Sequence, residues 1–215
     1  LGGGQLGRML SVAASRLGYR THIFEPSAGA PAAQVADQLT TAPYEDKDAL
    51  TAFANSVDVI TYEFENIPTA ALDVLEKLRP IHPDRRALAV SQDRLAEKQY
   101  LQSIGLSVAP YAEVNFVDYL QAAMAEIGVP SILKTRRFGY DGKGQVRLNT
   151  DSDPETAFTE LAGAPAVLEG FIEFEREISV IGTRAADGQV ACFDPGENVH
   201  LDGILHTTTV PAQIS

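Results

Sequence analysis

The chain has 215 residues, enough for one large domain or two small ones, and its 45% apolar content suffices for a proper core. Lys and Arg number 17 against 29 Asp and Glu, and the formal charge of −12 opposes the phosphate attraction on which non-specific nucleic-acid binding depends. No apolar run approaches the roughly 18 residues of a membrane helix and the start lacks the layout of a signal peptide, so a cytoplasmic protein without nucleic-acid or membrane partners is expected. From the N-terminus, Gly2, Gly4 and Gly7 form Gly-x-Gly-x-x-Gly, and Leu10, Ala13, Ala14 and Leu17 follow at helical spacing up to Gly18. Tyr19 to Phe24 reads as a strand, Ala49 to Ala54 as helical, and Val57 to Phe64 as a second β-rich run. Alternating elements predict a doubly wound parallel sheet. A strand should precede the opening glycines, and with only Leu1 in that place the chain is expected to lack its natural beginning.

The pattern breaks around Arg79 to Pro83, and a helix from Asp93 to Ile104 follows, with Ala96, Tyr100, Leu101 and Ile104 as its buried stripe. Next come a strand at Val108 to Val114, a helix at Phe116 to Ile127, a strand at Ser131 to Thr135, a glycine-rich loop, and a strand at Gln145 to Leu148. A helix at Asp153 to Ala162 and strands at Ala166 to Ile172, Glu177 to Arg184 and Val190 to Phe193 complete an α+β half that is mostly antiparallel. The single cysteine, Cys192, lies between Ala191 and Phe193 and is expected to be a reduced core thiol. His22, His82, His200 and His206 are scattered, no His or Cys pair stands at metal-ligand spacing, and any metal should arrive with a substrate.

Two glycine motifs carry the chemistry. The opening turn can aim a helix N-terminus at a phosphate, and Glu25, 18 residues past Gly7, suits the acid that takes a ribose in a dinucleotide fold. A nicotinamide site, a turn that only packs helix on strand, and a different ligand all remain open on those residues. The switch to an α+β second half argues against an ordinary oxidoreductase and for one ligand site per half. In the second motif the cations Lys134, Arg136, Arg137 and Lys143 surround Gly139, Gly142 and Gly144, so that unhindered backbone N–H groups and positive charge can wrap anionic oxygens. No Gly-Lys-Ser/Thr opens a helix, which excludes a Walker loop; a flexible basic hairpin is the alternative. Lys134, between Leu133 and Thr135 in a half-buried strand, wants an anionic partner. Strand alternation would place Glu63 and Glu65 together as an exposed polar stripe opposite Tyr62 and Phe64.

The run Lys134-Thr-Arg-Arg-Phe-Gly-Tyr-Asp-Gly-Lys-Gly-Gln145 resembles the signature of the N5-carboxyaminoimidazole ribonucleotide synthase family of ATP-grasp enzymes. Gly2-Gly-Gly-Gln-Leu-Gly-Arg-Met9, Thr61-Tyr-Glu-Phe-Glu-Asn66, Gln92-Asp-Arg-Leu-Ala-Glu-Lys98 and Asn198-Val-His-Leu-Asp-Gly-Ile-Leu205 extend the resemblance, in family order, over essentially the whole chain. It implies an α/β chain with an N-terminal pre-ATP-grasp domain of doubly wound parallel sheet, then an α+β ATP-grasp domain truncated at its C-terminal end. The implied divisions are 1–88, a small lid region with the glycine loop at 89–173, and the start of the large subdomain at 174–215.

The activity it implies is a carbon–nitrogen ligase of purine biosynthesis: MgATP phosphorylates bicarbonate to carboxyphosphate, and the carboxyl group passes to the amine of 5-aminoimidazole ribonucleotide. By the same resemblance Arg94 and Lys134 contact ATP; Gly139, Tyr140, Asp141, Gly142, Lys143, Gly144 and Gln145 fold over its phosphates; and Glu169, Gly170, Phe171 and Ile172 hold adenine. Glu177 takes the ribose hydroxyls, with His200 beside the nucleotide. Tyr140, Asp141 and Lys143 are the implied catalytic residues, with Asp141 accepting from the amine and the other two steadying the anion. Gln5, Leu6 and Glu65 fall on the ribonucleotide side. Magnesium ligands are expected beyond Ser215, and a homodimer is implied. The family often carries glycine where Phe138 stands, so a stiffer loop is expected here. Another ATP-grasp ligase, of biotin carboxylase or glycinamide ribonucleotide formyl-transferring type, and a nucleotide-binding fragment without chemistry are the competing readings.

Overall fold

The computed structural model describes residues 1–139, 143–201 and 204–214. They form two compact units, Leu1–Gly105 and Leu106–Ser215, each with its own apolar core.

In the first unit, α1 (Gln5–Arg16) follows the glycine turn, β1 (His22–Phe24) pairs in parallel with β2 (Gln38–Thr40), and a 3₁₀ turn spans Pro31–Gln34 between them. Then come α2 (Lys47–Asn55), α3 (Thr69–Leu75), α4 (Arg85–Ser91) and α5 (Arg94–Ser103). Asp46, Asp84 and Asp93 start three of these helices by accepting from backbone N–H groups of Ala49, Ala87 and Leu95 at 2.9, 3.0 and 2.9 Å. Phe24, Leu50, Phe53, Ile67, Leu72 and Leu75 fill the core.

The expected strand at 57–64 reduces to a parallel bridge between Ile60 and Ile81. Past Ile60 the chain makes two bonds to Leu1, whose amino group donates to the Thr61 carbonyl at 2.6 Å and whose carbonyl accepts from Glu63 N at 3.2 Å, and it then turns at Phe64 to Ile67. Helix α1 stands where expected, yet it buries Gly7 and Ser11, while Leu10 and Leu17 are exposed. In α5 the buried residue is Leu95, and Ile104, expected in the buried stripe, is 54% exposed.

The second unit contains β3 (Tyr111–Val114), α6 (Val117–Ile127), β4 (Ser131–Thr135), β5 (Gln145–Leu148), α7 (Pro154–Glu160) and β6 (Ala166–Gly170). These strands make one antiparallel sheet in the order β3-β6-β4-β5. Alternation puts Val114, Leu133, Leu148, Ala166 and Leu168 on the face packed against α6 and α7, while the opposite face carries Lys134, Gln145, Arg147 and Glu169 around Ile132 and the buried Val167. The strand expected at 177–184 is two: β7 (Glu177–Ser179) joins β10 (Gly196–Leu201) and β11 (Ile204–Thr209), while β8 (Gly182–Arg184) pairs with β9 (Val190–Cys192). The chain changes sheet at Val180 and Ile181. Cys192, expected in a core, is exposed, because the β8–β9 ribbon packs no apolar layer and Val190 and Phe193 beside it are exposed too.

Leu133 and Leu168 are register partners with no exposure. Leu168→Ala is expected to cost about 2–5 kcal/mol in urea unfolding, whereas Val190→Ala on the exposed ribbon should stay within about 0.5 kcal/mol.

Candidate functional site

In the first unit the opening turn is held by carboxylates of the protein itself. Gly3 N donates to Glu25 Oε2 at 2.8 Å and Gly4 N to Glu63 Oε1 at 3.2 Å. Glu63 thereby serves the N-terminus of α1, whose cap residue Gly4 has no side chain to do so. The glycines are required by proximity: Gly2 has φ +90°, and a β-carbon there would lie 2.8 Å from Glu63 Oε1. Tyr44 lies beside the same carboxylates; burial, and then the Glu25 charge, push its phenol well above the usual tyrosine range, so it stays neutral. Glu25, which suited a dinucleotide ribose, is instead bonded to the turn. Two N–H groups of the turn, those of Gly3 and Gly4, are thereby taken by carboxylates.

The same turn presents Gln5 and Leu6, both exposed, as the first residues of α1. Glu65 is exposed nearby in sequence to Glu63, accepting from Asn66 Nδ2 at 3.1 Å. Glu63 and Glu65 do not form the expected polar stripe, because the backbone is not a strand there and Glu63 turns in to Gly4. Arg94 occupies the first turn of α5, behind the Asp93 cap, and is half-buried.

In the second unit the polar face of the four-stranded sheet gathers Lys134, Gln145, Arg147, Glu169 and Tyr111. Lys134 pairs with Gln145 across the β4–β5 ladder, and Ile132 stands between Arg147 and Glu169. Lys134 Nζ bonds Glu169 Oε2 at 2.8 Å, with side-chain exposures of 23% and 12%, so the anionic partner that its position demands is Glu169. Arg136, at the end of the same strand, pairs with Glu113 at 2.8 Å. At and just past the end of β6, Gly170 N and Phe171 N donate to the carbonyls of Pro110 and Pro130 at 2.8 and 3.1 Å, and the Arg147 guanidinium lies 4.5 Å from the Phe171 ring centre. Phe171 and Ile172, expected within the strand, lie past its end.

The glycine loop leaves the sheet between β4 and β5. Thr135 N donates to the Gly144 carbonyl at 2.8 Å, and Gly144 has φ +69° with Thr135 Oγ1 2.7 Å from where a β-carbon would sit. Phe138 holds φ +61°, a left-handed conformation in which a β-carbon is strained. Gly139 and Lys143 flank the loop; Tyr140, Asp141 and Gly142 lie outside the described residues. Glu177 and His200 occur on β7 and β10, with His200 Nδ1 3.7 Å from Glu177 Oε1. Sequence reasoning missed Asn198 and Thr208, which join Glu177 in one hydrogen-bonded row; their spacing carries no signal until the strand register is known. Among the described residues no three His, Cys, Asp or Glu side chains converge to hold a metal ion.

Residues 1–92 match the ribonucleotide synthetase preATP-grasp domain and residues 99–215 the ATP-grasp domain. The chain belongs to the ATP-grasp family. Within that class it is 54% identical, over its whole length, to N5-carboxyaminoimidazole ribonucleotide synthase of Brucella melitensis biotype 1, of which it spans 60%. The ADP complex of an N5-carboxyaminoimidazole ribonucleotide synthetase, purK, superposes with a TM-score of 0.94 at 42% identity, covering 100% of this chain and 57% of that one. The Aspergillus clavatus enzyme in complex with ADP and 5-aminoimidazole ribonucleotide superposes with a TM-score of 0.87 at 28% identity, again covering 100% and 57%. The chain thus spans about three-fifths of the proteins it matches.

Gly7 shows how tightly the first turn is built, since a β-carbon there would lie 2.9 Å from the Gly2 carbonyl oxygen. Gly7→Ala is expected to lower stability by about 1–3 kcal/mol in urea unfolding, while Gly29→Ala, with nothing within 4 Å, should change it little.

Proposed function

We propose that this chain supplies the acceptor side and most of the nucleotide side of an N5-carboxyaminoimidazole ribonucleotide synthase. The observation that carries the reading is the polar sheet face with Lys134, Glu169 and Gln145 at the root of the glycine loop, on a chain 54% identical to a relative of that name.

Bicarbonate is a poor electrophile and is activated by phosphoryl transfer from ATP; the resulting mixed anhydride must then meet the amine of 5-aminoimidazole ribonucleotide before water does. In this reading Lys134 and Arg94 hold the nucleotide, Gly139 to Gln145 close over its phosphates, and Glu169 to Ile172 receive the adenine through the segment fixed to Pro110 and Pro130. Glu177 takes the ribose, with His200 beside it. Lys134 exchanges Glu169 for phosphate oxygen when the nucleotide arrives, freeing that carboxylate to accept from the adenine amine. Tyr140, Asp141 and Lys143 serve the transfer itself, by positioning and charge stabilisation. Gln5, Leu6 and Glu65 face the ribonucleotide.

The functional division is 1–88 for the acceptor, 89–173 for the nucleotide and its lid, and 174–215 for the ribose end. Magnesium enters with ATP, and the described residues are not assigned as its ligands. A cytoplasmic homodimer completes the reading; among the described residues no helix is long and apolar enough to cross a membrane.

In the intact protein, phosphate release from ATP in bicarbonate is expected to rise several-fold on adding 5-aminoimidazole ribonucleotide; no stimulation rejects the assignment. Lys134→Ala should raise the KM for ATP by about ten-fold or more, the loss of one charge-assisted contact. Asp141→Ala should leave ATP binding intact and abolish carboxyl transfer. Equal loss of both functions in both variants contradicts these roles.

A further inference from the structure

Three neighbouring strands set one row of side chains across the second unit. Glu177 on β7 is the register partner of Asn198 on β10, and Asn198 is in turn the partner of Thr208 on β11. The row is hydrogen-bonded end to end: Thr208 Oγ1 donates to Asn198 Oδ1 at 2.9 Å, and Asn198 Nδ2 donates to Glu177 Oε1 at 3.2 Å. Each contact fixes the next. An ionised carboxylate only accepts, so it requires the NH₂ end of the Asn198 amide, and that orientation turns Oδ1 toward a hydroxyl that can donate. His200 lies two residues further along the same face, its Nδ1 too far from Glu177 Oε1, at 3.7 Å, to hold it by a hydrogen bond.

We propose that Asn198, oriented by Thr208, is a positioning residue that sets the ribose preference of the nucleotide site by fixing Glu177. This rests on the reading of Glu177 as the ribose acceptor given above and adds the residues that make it selective. A glutamate at the half-exposed edge of a sheet has several rotamers, and ordering it on ligand arrival weakens binding. Anchoring Oε1 to Asn198 settles that ordering in advance and leaves Oε2 to accept from a ribose hydroxyl. A deoxyribose lacking the hydroxyl leaves the prepared oxygen without its donor, so discrimination depends on the row as much as on Glu177.

The test compares kcat/KM for ATP, 2′-deoxyATP and 3′-deoxyATP in the intact protein and in Asn198→Ala, Thr208→Val and Thr208→Ser. The wild type is expected to prefer ATP over at least one deoxynucleotide by about ten-fold or more. Asn198→Ala and Thr208→Val should shrink that ratio several-fold, chiefly through KM for ATP, and Thr208→Ser, which keeps the hydroxyl, should restore it. Variants that lose ATP and deoxyATP equally, or that keep the full ratio, overturn the inference. Thr208 is exposed, and Thr208→Val conserves shape, so its ratio is read on folded protein. A wild type that turns over ATP with 5-aminoimidazole ribonucleotide yet shows no ribose preference overturns the inference and the Glu177 role while leaving the ligase reading standing; a wild type without that turnover strikes the ligase reading instead.

Discussion

The pairing of β4 with β6 is the constraint on which the second unit rests. The register that joins Leu133 to Leu168 in the core places Lys134 and Glu169 on the opposite face, 2.8 Å apart. Side chains alternate with a period of two, so a slip of one residue would drive a lysine and a glutamate into the packing of α6 and α7 and expose two leucines. Core burial therefore fixes the polar face as firmly as it fixes the core. The charged groups assigned to the nucleotide are held by the same pairing that excludes water beneath them.

The first unit solves a different problem. Its glycine turn has the spacing of a phosphate cradle, and two of its backbone donors, Gly3 N and Gly4 N, are bonded internally to Glu25 and Glu63. Two carboxylates from separate segments tie the start of α1 to the ends of β1 and of the segment after Ile60. The glycines are there because those carboxylates come so close, and what the turn delivers is the placement of Gln5 and Leu6.

Much of this was legible in the sequence, and the limits have physical causes. The helices with an aspartate cap or a clear apolar period, such as α2, α5 and α7, stand close to where the residues put them, because capping and periodicity are local. Helix α3, which has no capping side chain, was not anticipated, and neither was α4 despite its Asp84 cap. The run Val57 to Phe64 has β-rich composition and forms only a bridge at Ile60 before the chain turns at Phe64 to Ile67. Exposure failed for a related reason: Cys192, Ile104 and Leu17 are apolar residues whose burial depends on what packs on them, and that is a property of tertiary layers. For the site, the glycine-loop motif pointed to Lys134 and the resemblance to Glu169. Asn198 and Thr208 entered only with the register of β7, β10 and β11, which no spacing along the chain encodes.

Internal neutralisation of the opening turn also shapes the electrostatic landscape. The positive end of α1 is matched by Glu63, so the helix projects little attraction for an anion into solvent. In a protein of net charge −12 cations are scarce, and in the second unit Lys134 and Arg136 are matched in the same way, by Glu169 and Glu113. Raising the ionic strength should therefore loosen the Arg136–Glu113 pair, whose carboxylate is 44% exposed, before the Lys134–Glu169 pair, whose carboxylate is 12% exposed.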